Sequence, residues 1–414
     1  MKKSVVIFIT AVCLLITGCG DTGSLSKLPS SFHEDKQKLT IMHIDADNKR
    51  FQDFIEETEK KLDMEITVEK CPSNADNRQA KISTILASGD KNIDLISVND
   101  EMISEFKHKG YLEPLEKNVM TEEVRDSFPQ KYLESICEEN GHIYSVPFQM
   151  DIMMFWVNQE LLKQAGLDEI KNTGDFDILQ KSLKNPDQYA YGDAWENTHV
   201  YNSLSQFVNF WGGDYFDWTD PKTKDAARYM KSMLDEKNTS PAQFVDQYEQ
   251  MEEKFIRGKY GCVFMYTSAL GTFLDADVYG KNKIHMAPLP VLHKKKATNI
   301  ATWQYVLNNA SENKDAAVRF LQYAAGYEGS TEYAKIMKSY PARVDVIENE
   351  DIDLEGIDMI RKYLREYTLN ARPLCENSMG AVSDMGKLFQ GYVLGQCEED
   401  SFFEQAQNCI NTYY

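Results

Sequence analysis

The sequence predicts an α/β fold built on a parallel sheet, and three observations carry that prediction. Over residues 39–98, apolar runs of strand length alternate with amphipathic helical stretches in the order strand, helix, strand, helix, strand. Apolar residues make up 42% and charged residues 27% of the 414 positions, the balance of a folded globular chain. No internal repeat of solenoid period runs through the sequence, so the elements are distinct rather than stacked copies.

Taken in order, residues 39–44 form the first apolar run, closed by Asp45-Ala46-Asp47-Asn48 as a turn or helix cap. From Arg50, the residues Phe51, Phe54, Ile55 and Leu62 fall on one helical face. Residues 64–68 alternate like a strand, and 80–87 are helical with Gly89 as the stop. Residues 93–98 form a third strand ending at Asn99-Asp100. Open parallel sheets bind ligands beyond the C-terminal ends of their strands. Asp45, Asp47, Asn99 and Asp100 stand at such ends and are candidate ligand contacts, with helix capping the competing role for each.

Further along, residues 151–157 are strongly apolar, 158–165 are helical with Gly166 as a stop, and the signal over 175–193 is weak. Helices are predicted over 202–211, 225–234 and 244–256, and a buried strand over 261–265. Residues 284–291, broken by Pro288 and Pro290, read as an extended connector. Helices follow over 315–325 and 332–338, and the stretch after Ile357 reads as almost wholly helical.

Charge narrows the partners. With 65 acidic against 45 basic side chains the formal net charge is -20, which repels nucleic acid and anionic membrane surfaces. Six cysteines remain beyond Cys13 and Cys19, and they are expected to be mostly free thiols because a core of this size needs no staples. Neither a C-x-x-C nor an H-x-x-x-H spacing occurs, so no metal and no cofactor is expected.

The N-terminus reads as an address. Lys2 and Lys3 precede an apolar run over residues 5–16, too short to span a bilayer. Ile16-Thr17-Gly18-Cys19 then resembles the lipobox of a bacterial lipoprotein signal. The resemblance implies that residues 1–18 are removed and that Cys19 is lipidated. Residues 19–37, small and polar, would then be a flexible tether. The expected location is outside the cytoplasm, on the cell membrane, held by the lipid alone.

A set of motifs extends the reading to the rest of the chain. Gly141-His142-Ile143-Tyr144-Ser145-Val146-Pro147 followed by Met154-Phe155-Trp156-Val157-Asn158 resembles a segment of the family 1 extracellular solute-binding proteins of ABC importers, with Val157 where a Tyr is usual. Phe255-Ile256-Arg257-Gly258-Lys259-Tyr260-Gly261-Cys262, Met286-Ala287-Pro288-Leu289-Pro290, Asp315-Ala316-Ala317-Val318-Arg319-Phe320-Leu321 and Ala371-Arg372-Pro373 are similar to four more segments, in the family's order.

The resemblance implies a two-lobed, periplasmic-binding-protein-like fold with hinge crossings. Lobe one would hold residues 38–148 and 291–326, and lobe two 149–290 and 327–414. It further implies a ligand enclosed between the lobes, a partnership with ABC importer permease subunits and action as a monomer. In that family the regions carrying Trp211, Tyr215, Phe216, Trp218, Tyr266, Trp303 and Tyr305 face the cleft. Aromatic faces suit the C–H faces of sugar rings, while Asp151 and other carboxylates take hydroxyls, so the expected ligand is a carbohydrate. Arg372 is the cation expected nearby. Core packing is the competing role for the tryptophans. A glycan-cleaving enzyme and a receptor for a non-sugar solute are the alternative functions, and no G-x-S-x-G, H-E-x-x-H or Gly-rich phosphate loop marks an enzyme.

Overall fold

The computed structural model describes residues 36–72 and 75–414, with the side chains of residues 75 and 76 left aside. The signal, Cys19 and nearly all of the tether lie outside the described residues. Residues 37–414 form one unit organised by a single nine-stranded sheet.

The first strand, Gln37–His43, pairs in parallel with Met64–Lys70 on one side and Leu95–Asn99 on the other. Between them, helix Lys49–Leu62 starts where the Asn48 side chain accepts from the Arg50 amide at 3.0 Å and ends at Asp63 in the left-handed region. It buries Phe51, Phe54, Ile55 and Thr58, the 3.6-residue period that the sequence displays. His43 is wholly enclosed and stacks on Phe51 with centroids 3.8 Å apart. Burial alone pushes its pKa down to about 3, so it sits in the core as a neutral ring.

Two long strands bind the sheet into one. Val146–Asn158 and Ala297–Leu307 run antiparallel to each other from Ile300↔Ile152 to Tyr305↔Val146. At one end, Ala297–Leu307 pairs with Leu95–Asn99; at the other, with the short strand Thr368–Ala371. The far half of Val146–Asn158 pairs with Tyr260–Tyr266 and Ile284–Ala287, and Tyr260–Tyr266 pairs with Tyr189–Gly192. The register between the long strands slips between Trp303 and Gln304, leaving Phe148 as the extra residue beside Pro147. A proline lacks the ladder N–H and is tolerated in an interior strand at such a bulge.

Several elements differ from expectation. The weak region holds helix Thr173–Ser182, fixed by an Asn172–Asp175 capping box, and strand Tyr189–Gly192. The connector contains strand Ile284–Ala287, and the predicted C-terminal helix is interrupted by strand Thr368–Ala371 because a free edge of Ala297–Leu307 is there to pair with it. Helix Tyr327–Met337, expected in lobe two, packs on helix Lys49–Leu62, with the Tyr333 ring edge-on to Phe54 at 5.3 Å. The six cysteines of the described residues are all free, five of them buried. No helix among the described residues is long and apolar enough to cross a membrane.

Candidate functional site

A cavity of about 540 Å³ opens beside the two long strands, within the range of small-molecule sites. Its walls come from strand ends and helix starts. Asn99 ends its strand, and Glu101 follows in the first turn of helix Asp100–His108. Ala301, Thr302 and Trp303 come from one long strand and Asp151 from the other, with Asp151 opposite Ala301 and Trp303 opposite Asn99. Thr198, His199 and Asn202 surround the start of helix Val200–Trp211. Gln247, Tyr248, Glu249 and Glu252 line one face of helix Tyr248–Ile256 and its N-cap. Tyr266 ends its strand, Ser268 is the N-cap of helix Ala269–Asp275, and Thr272 lies within that helix.

The floor is an ionic network. Arg372, just past strand Thr368–Ala371, donates to both oxygens of the fully buried Asp100, to Glu101 Oε1 at 2.7 Å and to the Tyr201 hydroxyl at 2.7 Å. Tyr201 donates in turn to Glu101 Oε1 at 2.6 Å, and Tyr132 to Asp100 Oδ2 at 3.1 Å. Burial pulls the Arg372 pKa down to about 9, which leaves it a cation at neutral pH. This tie joins the helix after Asn99 to the segment after Ala371 beneath the cavity.

The side walls are less satisfied. Asp151 is held by Thr267 Oγ1 at 2.7 Å and the Ser268 amide at 2.9 Å, and burial pushes its pKa up. Glu252 is pushed up to about 7, first by burial and then by the charges of Glu249 and Asp151, against a hydrogen bond from Thr272. Asn99 occupies a helix N-cap without capping: its Nδ2 donates to Glu101 Oε2 at 2.7 Å, and its buried Oδ1 has no partner. The Tyr248 hydroxyl is likewise buried and unpartnered. Two buried polar atoms left open among the residues lining one cavity are costly for the fold unless something fills them. Trp303 presents a partly open indole, with the Arg78 guanidinium 5.3 Å from its centroid, and it is the one tryptophan of five that is not buried.

Of the predicted contacts, Asn99, Asp151, Tyr266, Trp303 and Arg372 line this cavity, and Asp100 lies directly beneath it. The others lie elsewhere. Asp47 pairs with Lys70 on the surface, and Asp45 turns to His43, its amide donating to His43 Nδ1 at 3.0 Å. Trp211 is stacked on His293 at 5.2 Å and packed against Tyr229. Trp218 is 0% exposed, set among Phe402, Phe403 and Tyr215. Tyr215 lines a separate cavity with Phe216 and Pro373. Trp218 is core because the C-terminal helix Glu399–Tyr413, far away in sequence, covers the loop after Gly212-Gly213. Sequence reasoning missed Arg78, Glu101, Thr198, His199, Asn202, Tyr248, Glu249 and Glu252. The one available signal was the amphipathic period over 244–256, which marks a helix but not which of its polar faces is enclosed.

Two sheet halves joined by shared long strands, with a cavity walled from both, define a two-lobed binding-protein fold. The chain belongs to the bacterial extracellular solute-binding protein family, whose family model matches residues 45–331. Among solved structures, it is similar to an ABC transporter solute-binding protein from Thermotoga lettingae bound with alpha-D-tagatose, at 18% identity, covering 92% of this chain and 99% of that one, TM-score 0.77. It is also similar to the maltose-bound MalE3 of T. maritima, at 17% identity, 91% and 99% coverage and TM-score 0.76. An ABC substrate-binding protein from Listeria monocytogenes in complex with cycloalternan matches at 18% identity, 91% and 99% coverage and TM-score 0.75. Among curated proteins, a probable amino-acid ABC transporter periplasmic-binding protein of Sinorhizobium fredii is 24% identical over 55% of this chain and 54% of its own length. A putative binding protein of Brucella abortus is 24% identical over 58% and 59%. The chain thus spans between half and two thirds of the length of the curated relatives it matches.

Proposed function

We propose that this protein is the lipid-anchored, extracytoplasmic receptor of an ABC importer, enclosing a carbohydrate between two lobes and passing it unaltered to the permease. The observation that carries this reading is the cavity itself: a partly open Trp303 face, flanked by the unpartnered Asn99 Oδ1 and Tyr248 hydroxyl and by Asp151, Asn202, Thr198 and Ser268. An indole takes the apolar face of a sugar ring, and the surrounding amides, hydroxyls and carboxylates take its hydroxyl rim. The solved structures similar to it hold tagatose, maltose and cycloalternan, in keeping with such a guest. Lipidation at Cys19, removal of residues 1–18 and monomeric action are part of the proposal. So is a lobe division along the long strands, with residues 327–348 counted in lobe one on account of their packing.

The test is a thermal-shift and calorimetric screen of mono- and oligosaccharides and polyols, with amino acids included because of the curated relative's name. A sugar at a hundredfold excess over its dissociation constant should stabilise the protein by about 2.7 kcal/mol. Release of cleaved product would instead mark an enzyme, and a response to amino acids alone would end the carbohydrate reading. Trp303→Ala should weaken the identified sugar by about 2 kcal/mol, roughly thirtyfold, as for other aromatic anchors. Its unfolding midpoint should move little, since the ring is only partly buried.

A further inference from the structure

The charges around the cavity are unevenly placed. Arg372 is spent on Asp100 and Glu101, and His199 lies 3.1 Å from Glu196. Arg78 lies over the Trp303 ring. That leaves Asp151, Glu249 and Glu252 as a group on the wall made by the helix starting at Tyr248 and the segment around Ser268. Asp151 is 8% exposed, Glu252 half-buried and Glu249 exposed; Asp151 is held by hydroxyl and amide donors, and Glu252 is influenced by burial, by a donor from Thr272 and by the two other acids. The Tyr248 hydroxyl, buried and unpartnered, lies on the same wall. A metal ion does not fit the group: among the described residues no three His, Cys, Asp or Glu side chains converge as metal ligands. An organic ammonium needs fewer acids than a metal does, because its N–H donors are met by one or two carboxylates at hydrogen-bond distance, with hydroxyl or amide oxygens completing the set.

We infer that the guest is a saccharide bearing a protonated amine, an amino sugar or an amine-containing oligosaccharide, with its ammonium group against Asp151 and Glu252, Glu249 adding negative charge nearby, and its ring against Trp303. The inference rests on the carbohydrate reading above and narrows it. An ammonium ion there would supply the positive charge that the wall lacks, and it would draw the Glu252 proton off, turning a crowded acid into an ion-pair partner. The burial of Asp151 and the partial burial of Glu252 matter, because an exposed pair, such as one made with Glu249, would contribute little.

The experiment compares matched pairs by calorimetry at pH 7.5 and low salt: glucosamine with glucose, galactosamine with galactose, and the β-1,4-linked glucosamine tetramer with cellotetraose. At least one amine-bearing member should bind roughly tenfold or more tightly than its hydroxyl counterpart, the scale of a charged hydrogen bond in an enclosed site. In Glu252→Gln and in Glu249→Gln/Glu252→Gln, that ratio should fall toward one. Equal or weaker binding of every amine overturns this inference while a binding neutral sugar leaves the carbohydrate reading standing. An undiminished ratio in both variants overturns the placement of the ammonium group. If no saccharide of the wider screen binds, both readings fall together.

Discussion

Replacing Arg372 by alanine is expected to lower the stability of the protein by about 3–5 kcal/mol, read as a fall in the urea midpoint with an unchanged slope. The guanidinium meets the fully buried Asp100 along a two-point edge and reaches Glu101 and Tyr201 with its remaining nitrogen. Removing it strands the Asp100 carboxylate in the interior with the Tyr132 hydroxyl as its one remaining side-chain donor among the described residues. An uncompensated buried charge, not the lost attraction, accounts for most of the cost. Asp100→Asn in the Arg372→Ala background should therefore recover part of the loss, and the double-mutant cycle should show a coupling well above 1 kcal/mol. Arg372→Lys should fall between the two, since a point charge cannot reproduce the fork. If Arg372→Ala unfolds at the wild-type midpoint, the network is not holding the floor of the cavity.

Trp218→Ala should be comparably severe, about 3–5 kcal/mol, as for other large-to-small changes of enclosed aromatics. Its indole fills the space between the loop after Gly213 and the C-terminal helix Glu399–Tyr413, edge-on to Phe402 at 5.6 Å. Its backbone amide donates to Gln407 Oε1 at 2.7 Å. The ligand affinity of the protein that remains folded should be unchanged, because neither Trp218 nor its ring neighbours line the cavity. The contrast with Trp303→Ala, which should lose affinity and keep stability, separates the two tryptophans that the sequence presents alike. A loss of affinity in Trp218→Ala at full stability would restore the aromatic loop to the site.

That contrast also shows what is legible in the chain. Helix Lys49–Leu62 and the strands on either side of it follow from local period and caps, and their positions match to within a few residues. Asn99 and Trp303 could be picked out, one because it ends a buried strand and the other because the resemblance implies that its region faces the cleft. Strand Ala297–Leu307 gave no such signal. Its Thr298, Asn299, Thr302 and Gln304 are buried polar residues, each satisfied by a distant partner such as Gln206, Ser205 or Tyr132. Hydropathy alternation cannot register a strand whose interior is hydrogen-bonded rather than apolar. The same blindness hid the wall formed by Tyr248, Glu249 and Glu252: which face of a short helix is enclosed is decided by strands far away in the chain.

The shared strands also set the order in which this protein is able to mature. Leu95–Asn99 has its antiparallel neighbour roughly two hundred residues downstream, in Ala297–Leu307, and until that neighbour exists the early sheet has an exposed edge. Contacts of such long reach form slowly, because a large loop must close first. A nascent chain leaving its site of synthesis therefore stays incomplete until most of its length is available, and fragments ending before residue 297 should be sticky and protease-sensitive.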